Sequence, residues 1–290
     1  MLITISFIFL YYTYKNFSID DLKTSIKNVT YLTIFLYLFI FIPIILILSQ
    51  KYIILIENYK EISLKDSTVI NLIAFLYNIF LPAKIGDIFR VFHSNVSKKF
   101  YTNCIILTFF EKIISFCCLI FIVIICSKIQ INFILAAVFL FIFYLFFSKY
   151  NTQKLFTIIN RILIFFSKKE YKLKQELLSD IRGKIIKFFI IDILIWSLIF
   201  FQIFLISIDI DLNLSFIDIC FIFGCSILIG LIPISFGGFG LRDIIILNSL
   251  QGYISQNDIL TLLFFFNLRY FIPAIFGFIF NTLRLYDKKI

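Results

Sequence analysis

Long apolar runs alternate with short polar connectors along the chain, and the lengths of the runs predict its elements. Val29 to Gln50 and Asn103 to Ser127 are each long enough to cross a ~30 Å hydrocarbon layer as one helix. Ile129 to Ser148, Phe188 to about Ile208 and Ile259 to about Leu283 predict three more spans. Met1 to about Tyr14, extended through Phe17, reads as a first span rather than a signal peptide. It has no basic segment before it and no small-residue cleavage site. Asp20 to Asn28 is a polar connector. Lys51 to Asp66 mixes Lys and Glu and is expected outside the hydrocarbon.

Two runs stop part-way. Val69 to Leu81 amounts to roughly 20 Å as a helix, too short to cross, and it ends at Pro82. Ala83 to Asp87 follows, then a second helical piece from Ile88 to about Lys99. Phe216 to Leu231 breaks likewise across residues 232–240, before a short piece from Leu241 to Gly252. Half-helix, break and half-helix together read as a re-entrant hairpin. Broken backbone is tolerated at membrane depth only where protein or water surrounds it.

Composition agrees. Of 290 residues, 61% are apolar and 15% charged, with a mean hydropathy of +1.03. Soluble domains carry about 25% charged residues, so a soluble enzyme or DNA-binding module is excluded. The formal charge of +10 has a local source, because Lys149 to Lys187 holds ten Lys/Arg against three acidic residues. In a membrane protein this reads as a cytoplasmic loop, and no nucleic-acid motif accompanies it. Leu155, Ile158, Ile159, Ile162, Leu163 and Phe166 share one helical face there, as in a helix lying on the membrane. Ser167-x-x-Glu170 predicts the start of a second helix ending near Gly183.

With that loop inside, parity has the first broken segment enter and leave from the cytoplasm, and the second from outside. Lys15, Lys23, Lys27 and Lys128 are exceptions to the charge rule. The expected fold is one all-α polytopic domain over residues 1–290. It has about six spans and two oppositely oriented hairpins, the pattern of an inverted repeat.

Candidate chemistry lies in ionisable residues within apolar sequence. Glu111 and Lys112 sit about 12 Å into their span and Arg269 about 15 Å into the last. Charge at such depth is costly and marks a functional candidate. Lys84, Asp87 and Arg90 at the first break, and Arg242 with Asp243 at the second, complete a set of five cations and three acids. If the two breaks meet, they form a polar chamber with surplus positive charge. Gly237, Gly238 and Gly240 permit tight backbone, and helix starts near Gly86 and Leu241 are candidate anion sites. Structural pairs such as Glu111–Arg269 or Asp87–Arg242 are equally compatible with the sequence. Asp192 and Lys187 read as interfacial groups, Trp196 as packing or belt, and Asn248 and Asn267 as helix bridges. The six cysteines lie in or beside apolar runs as packing residues, and the lone His93 anchors no metal site. No metal or cofactor is expected.

Pro82-Ala83-Lys84-Ile85-Gly86-Asp87-Ile88-Phe89-Arg90 resembles the P-g-x-x-G-E/D-x-x-R element of the lysylphosphatidylglycerol synthase transmembrane (flippase-like) family. Phe110-Glu111-Lys112 falls where that family has an E-R pair, and Trp196 sits in its tryptophan-bearing span. Pro233-Ile234-Ser235-Phe236-Gly237-Gly238-Phe239-Gly240-Leu241-Arg242-Asp243 resembles its P-x-S-x-G-G-x-G-x-R-E signature. Lys112 stands for Arg, and Asp87 and Asp243 stand where Glu is commoner. The resemblance is to the membrane domain, without the soluble aminoacyl-tRNA-dependent transferase domain, so lysyl transfer is not expected.

The resemblance implies translocation of a lipid or lipid-linked glycan with an anionic headgroup across a bacterial inner membrane, or an accessory role in envelope assembly. Lys84, Arg90, Arg242 and Arg269 would supply cations; Asp87, Glu111 and Asp243 would orient them or relay protons. Envelope-biosynthesis enzymes or a second copy of the chain are the expected protein partners, and nucleic acid is not. The sequence contains no Walker A motif to make ATP the direct drive. A membrane transferase using Glu111 or Asp87 as general base, and a scaffold that transports nothing, are the alternatives.

Overall fold

The computed structural model describes residues 29–127, 135–140, 175–232 and 238–287, with Tyr11, Asp20, Lys23, Ile26, Lys27 and Phe143. Outside these residues lie the expected first span apart from Tyr11, most of Ile129 to Ser148, the amphipathic face from Leu155 to Phe166 and the Ser167–Glu170 box.

Residues 135–140 are helical, and eight further α-helices have both ends among the described residues. They are α1 (Tyr31–Ile56), α2 (Leu64–Phe80), a one-turn α3 (Phe89–His93), α4 (Tyr101–Cys126), α5 (Gln175–Asp209), α6 (Phe216–Gly230), α7 (Leu241–Leu250) and α8 (Gln256–Asp287). A 3₁₀ stretch, Pro82–Ile88, joins α2 to α3, and no strand occurs among the described residues. The segments Tyr31–Ile56, Lys98–Cys126, Asp180–Asp209 and Gln256–Leu283 are long and apolar enough to cross a membrane.

Short Ser-x-x-Asp boxes start several of these helices. Ser63, Ser215 and Ser255 accept the N–H of Asp66, Asp218 and Asp258 at 3.1–3.2 Å. In α1 the cap is completed from another helix: Asp209, at the end of α5, accepts the Thr30 N–H at 2.5 Å and the Thr30 hydroxyl at 3.0 Å. The other end is tied too. Lys184 on α5 donates to the Leu55 carbonyl and pairs with Glu57 at 3.3 Å, so α1 and α5 run antiparallel.

Two cores follow. One gathers Val29, Ile206, Ile219, Leu250 and Ile259; the other gathers Tyr52, Ile56, Ile70, Val91, Val96, Cys104 and Ile181. The chain around the first break leaves the second core at Ile70 and returns to it at Val91. Around the second break it leaves the first core at Ile227 and returns at Ile246. α2 follows the end of α1 and α6 follows the end of α5, and because those two helices run antiparallel the interrupted segments start from opposite ends of the bundle. On α1, Tyr37, Phe41 and Ile44 are buried at helical spacing while Phe35, Phe39 and Ile42 face outward. An apolar outer face is what a lipid-exposed helix requires.

Close packing holds the interrupted helices in place. A Cβ on Gly277 would overlap the Leu72 carbonyl oxygen, so α2 lies directly on the backbone of α8. A Cβ on Gly224 would come within 2.6 Å of Val123 on α4. Ser67 on α2 donates to the Ser49 carbonyl of α1 at 2.8 Å.

Three expectations are corrected. No second helix ends at Gly183: α5 runs unbroken from Gln175, and the Lys184–Asp180 pair at 2.6 Å spans that turn. Residues from Lys51 to Ile56 are not connector but the last turns of α1, where Lys51 is 1% exposed. Asp192 is not interfacial, because α5 begins so much earlier that Asp192 falls in mid-helix, 3% exposed.

Candidate functional site

A cavity of about 390 Å³ opens where α1, α2, α4, α5 and α8 converge, and residues from both breaks line it, Asp87 from the first and Phe239 from the second. Four cations (Lys51, Arg90, Lys112, Arg269) and three carboxylates (Asp87, Glu111, Asp192) face it, a surplus of one positive charge among the described residues.

The first break supplies much of this polarity. Leu81 is extended, Pro82 opens the 3₁₀ turn, and the chain folds back on the end of α2. Gly86 makes that approach feasible, since a Cβ there would come within 2.5 Å of the Asn78 nitrogen. Asn78 then donates to Asp87 at 3.1 Å, and Phe89 stacks on Tyr77 at 4.2 Å between centroids. The helix beyond Gly86 has only five residues after a 3₁₀ stretch, so the expected anion-binding helix start is not formed there. Lys84 lies in the 3₁₀ stretch, and its side chain is outside the described residues.

Arg90 and Glu111, both 1% exposed, meet at 2.6 Å. Arg90 also donates to Asn71 at 3.3 Å and to the Asp87 carbonyl at 3.1 Å, and lies over the Tyr52 ring at 4.7 Å. Lys51 joins the other Glu111 oxygen at 3.3 Å and Asp192 at 2.6 Å; Ser115 closes this triangle, accepting from Lys51 at 3.0 Å and donating to Asp192 at 2.8 Å. Lys112, a third exposed at its side chain, pairs with Asp87 at 2.5 Å and lies 3.8 Å from Glu111. Six groups, three of each sign, thus form one neutral chain. Neither Glu111–Arg269 nor Asp87–Arg242 is formed, because nearer partners on α1, α3 and α4 take both carboxylates.

The second break is built differently. Pro233 and Gly237 lie outside the described residues. Gly238 and Gly240 have φ of +81° and +82°, a region that L side chains rarely adopt, and Gly238 rests on the Gly230 carbonyl, which a Cβ would approach to 2.7 Å. Asp243 caps α7 by accepting the Gly240 N–H at 3.2 Å, so part of that helix start is already satisfied within the fold. Arg242 is 2% exposed. Its guanidinium donates to Asn267, which donates to Asp243 at 3.3 Å, and it lies over Tyr270, Phe266 and Phe239 at 4.5, 4.7 and 5.0 Å. Asn267 is therefore a helix bridge, as its position suggests, whereas Asn248 is exposed.

Arg269 stands apart. It lies over Phe266 at 4.6 Å and Tyr270 at 4.5 Å and donates to the Tyr270 hydroxyl. No carboxylate pairs with it among the described residues, and its Nη1 has no hydrogen-bond partner although the residue is 6% exposed. It is desolvated, partnered by π faces and part of the cavity wall. Trp196 also lines the cavity, 7% exposed and stacked on Phe200.

Of the eight expected charged residues, Asp87, Arg90, Glu111, Lys112 and Arg269 converge on the cavity. Arg242 and Asp243 support its wall. Lys51, Asp192 and Ser115 were not among the expected residues. The signal for Lys51 was the apolar run Tyr52 to Ile56 after it, which keeps the helix going past the charge. No cluster of three or more His, Cys, Asp or Glu suited to a metal occurs among the described residues.

No curated protein matches the sequence. A family match covers nearly all of it: residues 2–277 match the family described as lysylphosphatidylglycerol synthase TM region. Together with the apolar helices, this makes the chain an integral membrane protein and points to lipid or envelope biosynthesis. The sequence motifs at both breaks and the extent of the match agree, and the chain belongs to the lysylphosphatidylglycerol synthase TM-region family.

Proposed function

We propose that the protein binds the anionic headgroup of a lipid or lipid-linked glycan in the cavity between the two breaks and carries it across a bacterial inner membrane. The carrying observation is Arg269, a buried cation whose charge no carboxylate answers among the described residues, at the wall of a cavity whose other cations are paired. An unpaired charge in this setting costs several kcal/mol or more, a cost that an anionic ligand would offset. Lys112 at the partly exposed end of the network is the second contact. The interrupted segments would act as oppositely oriented re-entrant hairpins, whose departure from opposite cores supports the reading.

The geometry favours binding over acid–base chemistry. Glu111, offered by the sequence as a general base, is shared by Arg90 and Lys51, and Asp87 is held by Lys112. Each carboxylate is thus engaged by a cation of the protein, whereas a general base for a substrate needs an open lone pair facing the reacting group.

Binding of a short-chain anionic phospholipid and a short-chain zwitterionic one to the purified protein tests the reading. Preference for the anionic lipid, abolished by Arg269→Gln, is expected. Equal binding of both lipids would contradict it.

A further inference from the structure

The Lys51–Asp192–Ser115 triangle is paired within itself, and it faces the same cavity as Arg269. Ion pairs connect the triangle to a partly exposed group. Lys112 is 34% exposed at its side chain; Glu111 lies 3.8 Å from it, Lys51 3.3 Å from Glu111, and Asp192 2.6 Å from Lys51. Each of these groups can gain or lose a proton, whereas Arg90, which also touches Glu111, cannot lose one. Beyond Lys112 the remaining members are Asp87 and solvent.

Asp192 is the natural terminus. Glu111 is held by Arg90 as well as Lys51, while among the described residues the one cation on Asp192 is Lys51, which it shares with Glu111. From α4 it faces Ser115 and Glu111, with the Cys118 thiol nearby. From α1 it faces Lys51. On α6 the sequence carries no charged side chain after Asp218, and on α8 the charged group at the cavity is Arg269.

Charge links the two sites. The six-membered network is neutral, and Arg269 adds the surplus that disfavours a further proton in the cavity. An anion on Arg269 cancels that surplus, making a proton on the network less costly, and linkage requires the converse. We infer that Asp192, with Lys51 and Ser115, is a proton-binding site coupled to occupancy of the cavity, so that the anion and a proton load together. This rests on the headgroup-binding reading above.

Calorimetric titration of the purified full chain with dioctanoyl phosphatidylglycerol tests it, in two near-neutral buffers of different ionisation enthalpy. The phosphodiester of this lipid does not titrate near neutrality, so any proton taken up goes to the protein. The expected result is binding with uptake of up to about one proton per lipid. Binding with no buffer dependence would overturn the proton site and leave headgroup binding intact; no binding would overturn both. Asp192→Asn should bind without proton uptake, and Lys51→Met with Asp192→Leu, which leaves no unpaired charge at that end, repeats the test if the single variant folds poorly. Proton uptake persisting in these variants would overturn the assignment to Asp192. Loss of lipid binding in both would overturn it as well, by making Asp192 a lipid contact.

Discussion

Lys51 on α1 and Asp192 on α5 meet at 2.6 Å across 141 positions of sequence, and both are buried. Removing one partner leaves a charge stranded in apolar surroundings. Lys51→Met is therefore expected to destabilise the protein by about 3–5 kcal/mol, whereas Lys51→Met with Asp192→Leu should lie close to wild type. Thermal unfolding in detergent, arranged as a double-mutant cycle, reads the difference. A double variant as damaged as the two single variants together would show that the pair is not what couples these helices.

Gly277 and Gly183 make opposite predictions from one substitution. Gly277→Ala places a methyl group on the Leu72 carbonyl and should push α2 away from α8, with loss of folded protein or of several kcal/mol. Gly183 lies within α5 with open space around the would-be Cβ. Gly183→Ala should stabilise by roughly 0.5–1 kcal/mol through the backbone entropy of the unfolded chain. Comparison of melting temperatures in the same detergent checks both.

Arg242→Lys tests the second break. The substitution keeps a positive charge but loses the planar guanidinium that covers three rings and reaches Asn267. A loss of roughly 2 kcal/mol is expected from the stacked, desolvated contacts. Proteolysis next to Gly240 should quicken in step. Unchanged stability and protease resistance would mean that charge alone suffices at this position.

How much of this was legible in the sequence depended on where each charge sat relative to its helix boundary. Glu111 and Arg269 lie deep inside long apolar runs, so their burial followed from distance along a helix. Asp87, Arg90 and Arg242 were marked by the breaks. Lys51 was misread because it directly follows a run already long enough to span, and Lys-Tyr-Ile-Ile resembles the start of a connector. Its partner was misread for a related reason: with α5 expected to begin near Phe188, Asp192 counted as the first turn, although the helix starts at Gln175. Pairings between helices were not legible. Adjacent Glu111 and Lys112 diverge on the helix surface, and which neighbour each meets is set by how Gly277 and Gly86 let α2 and the first break pack. Single-sequence patterns hold no information about that contact.

The central claim is that Arg269 is retained for an anion rather than for the fold, and Arg269→Gln tests it most directly. No carboxylate is left behind, and relief of the buried charge offsets the two lost ring contacts, so the variant should fold and melt near the wild-type temperature. Translocation of a fluorescent anionic lipid headgroup in reconstituted vesicles should meanwhile fall about ten- to hundredfold, the worth of a lost charge-assisted contact of about 1.5–3 kcal/mol. Wild-type translocation by a well-folded Arg269→Gln protein would contradict the account.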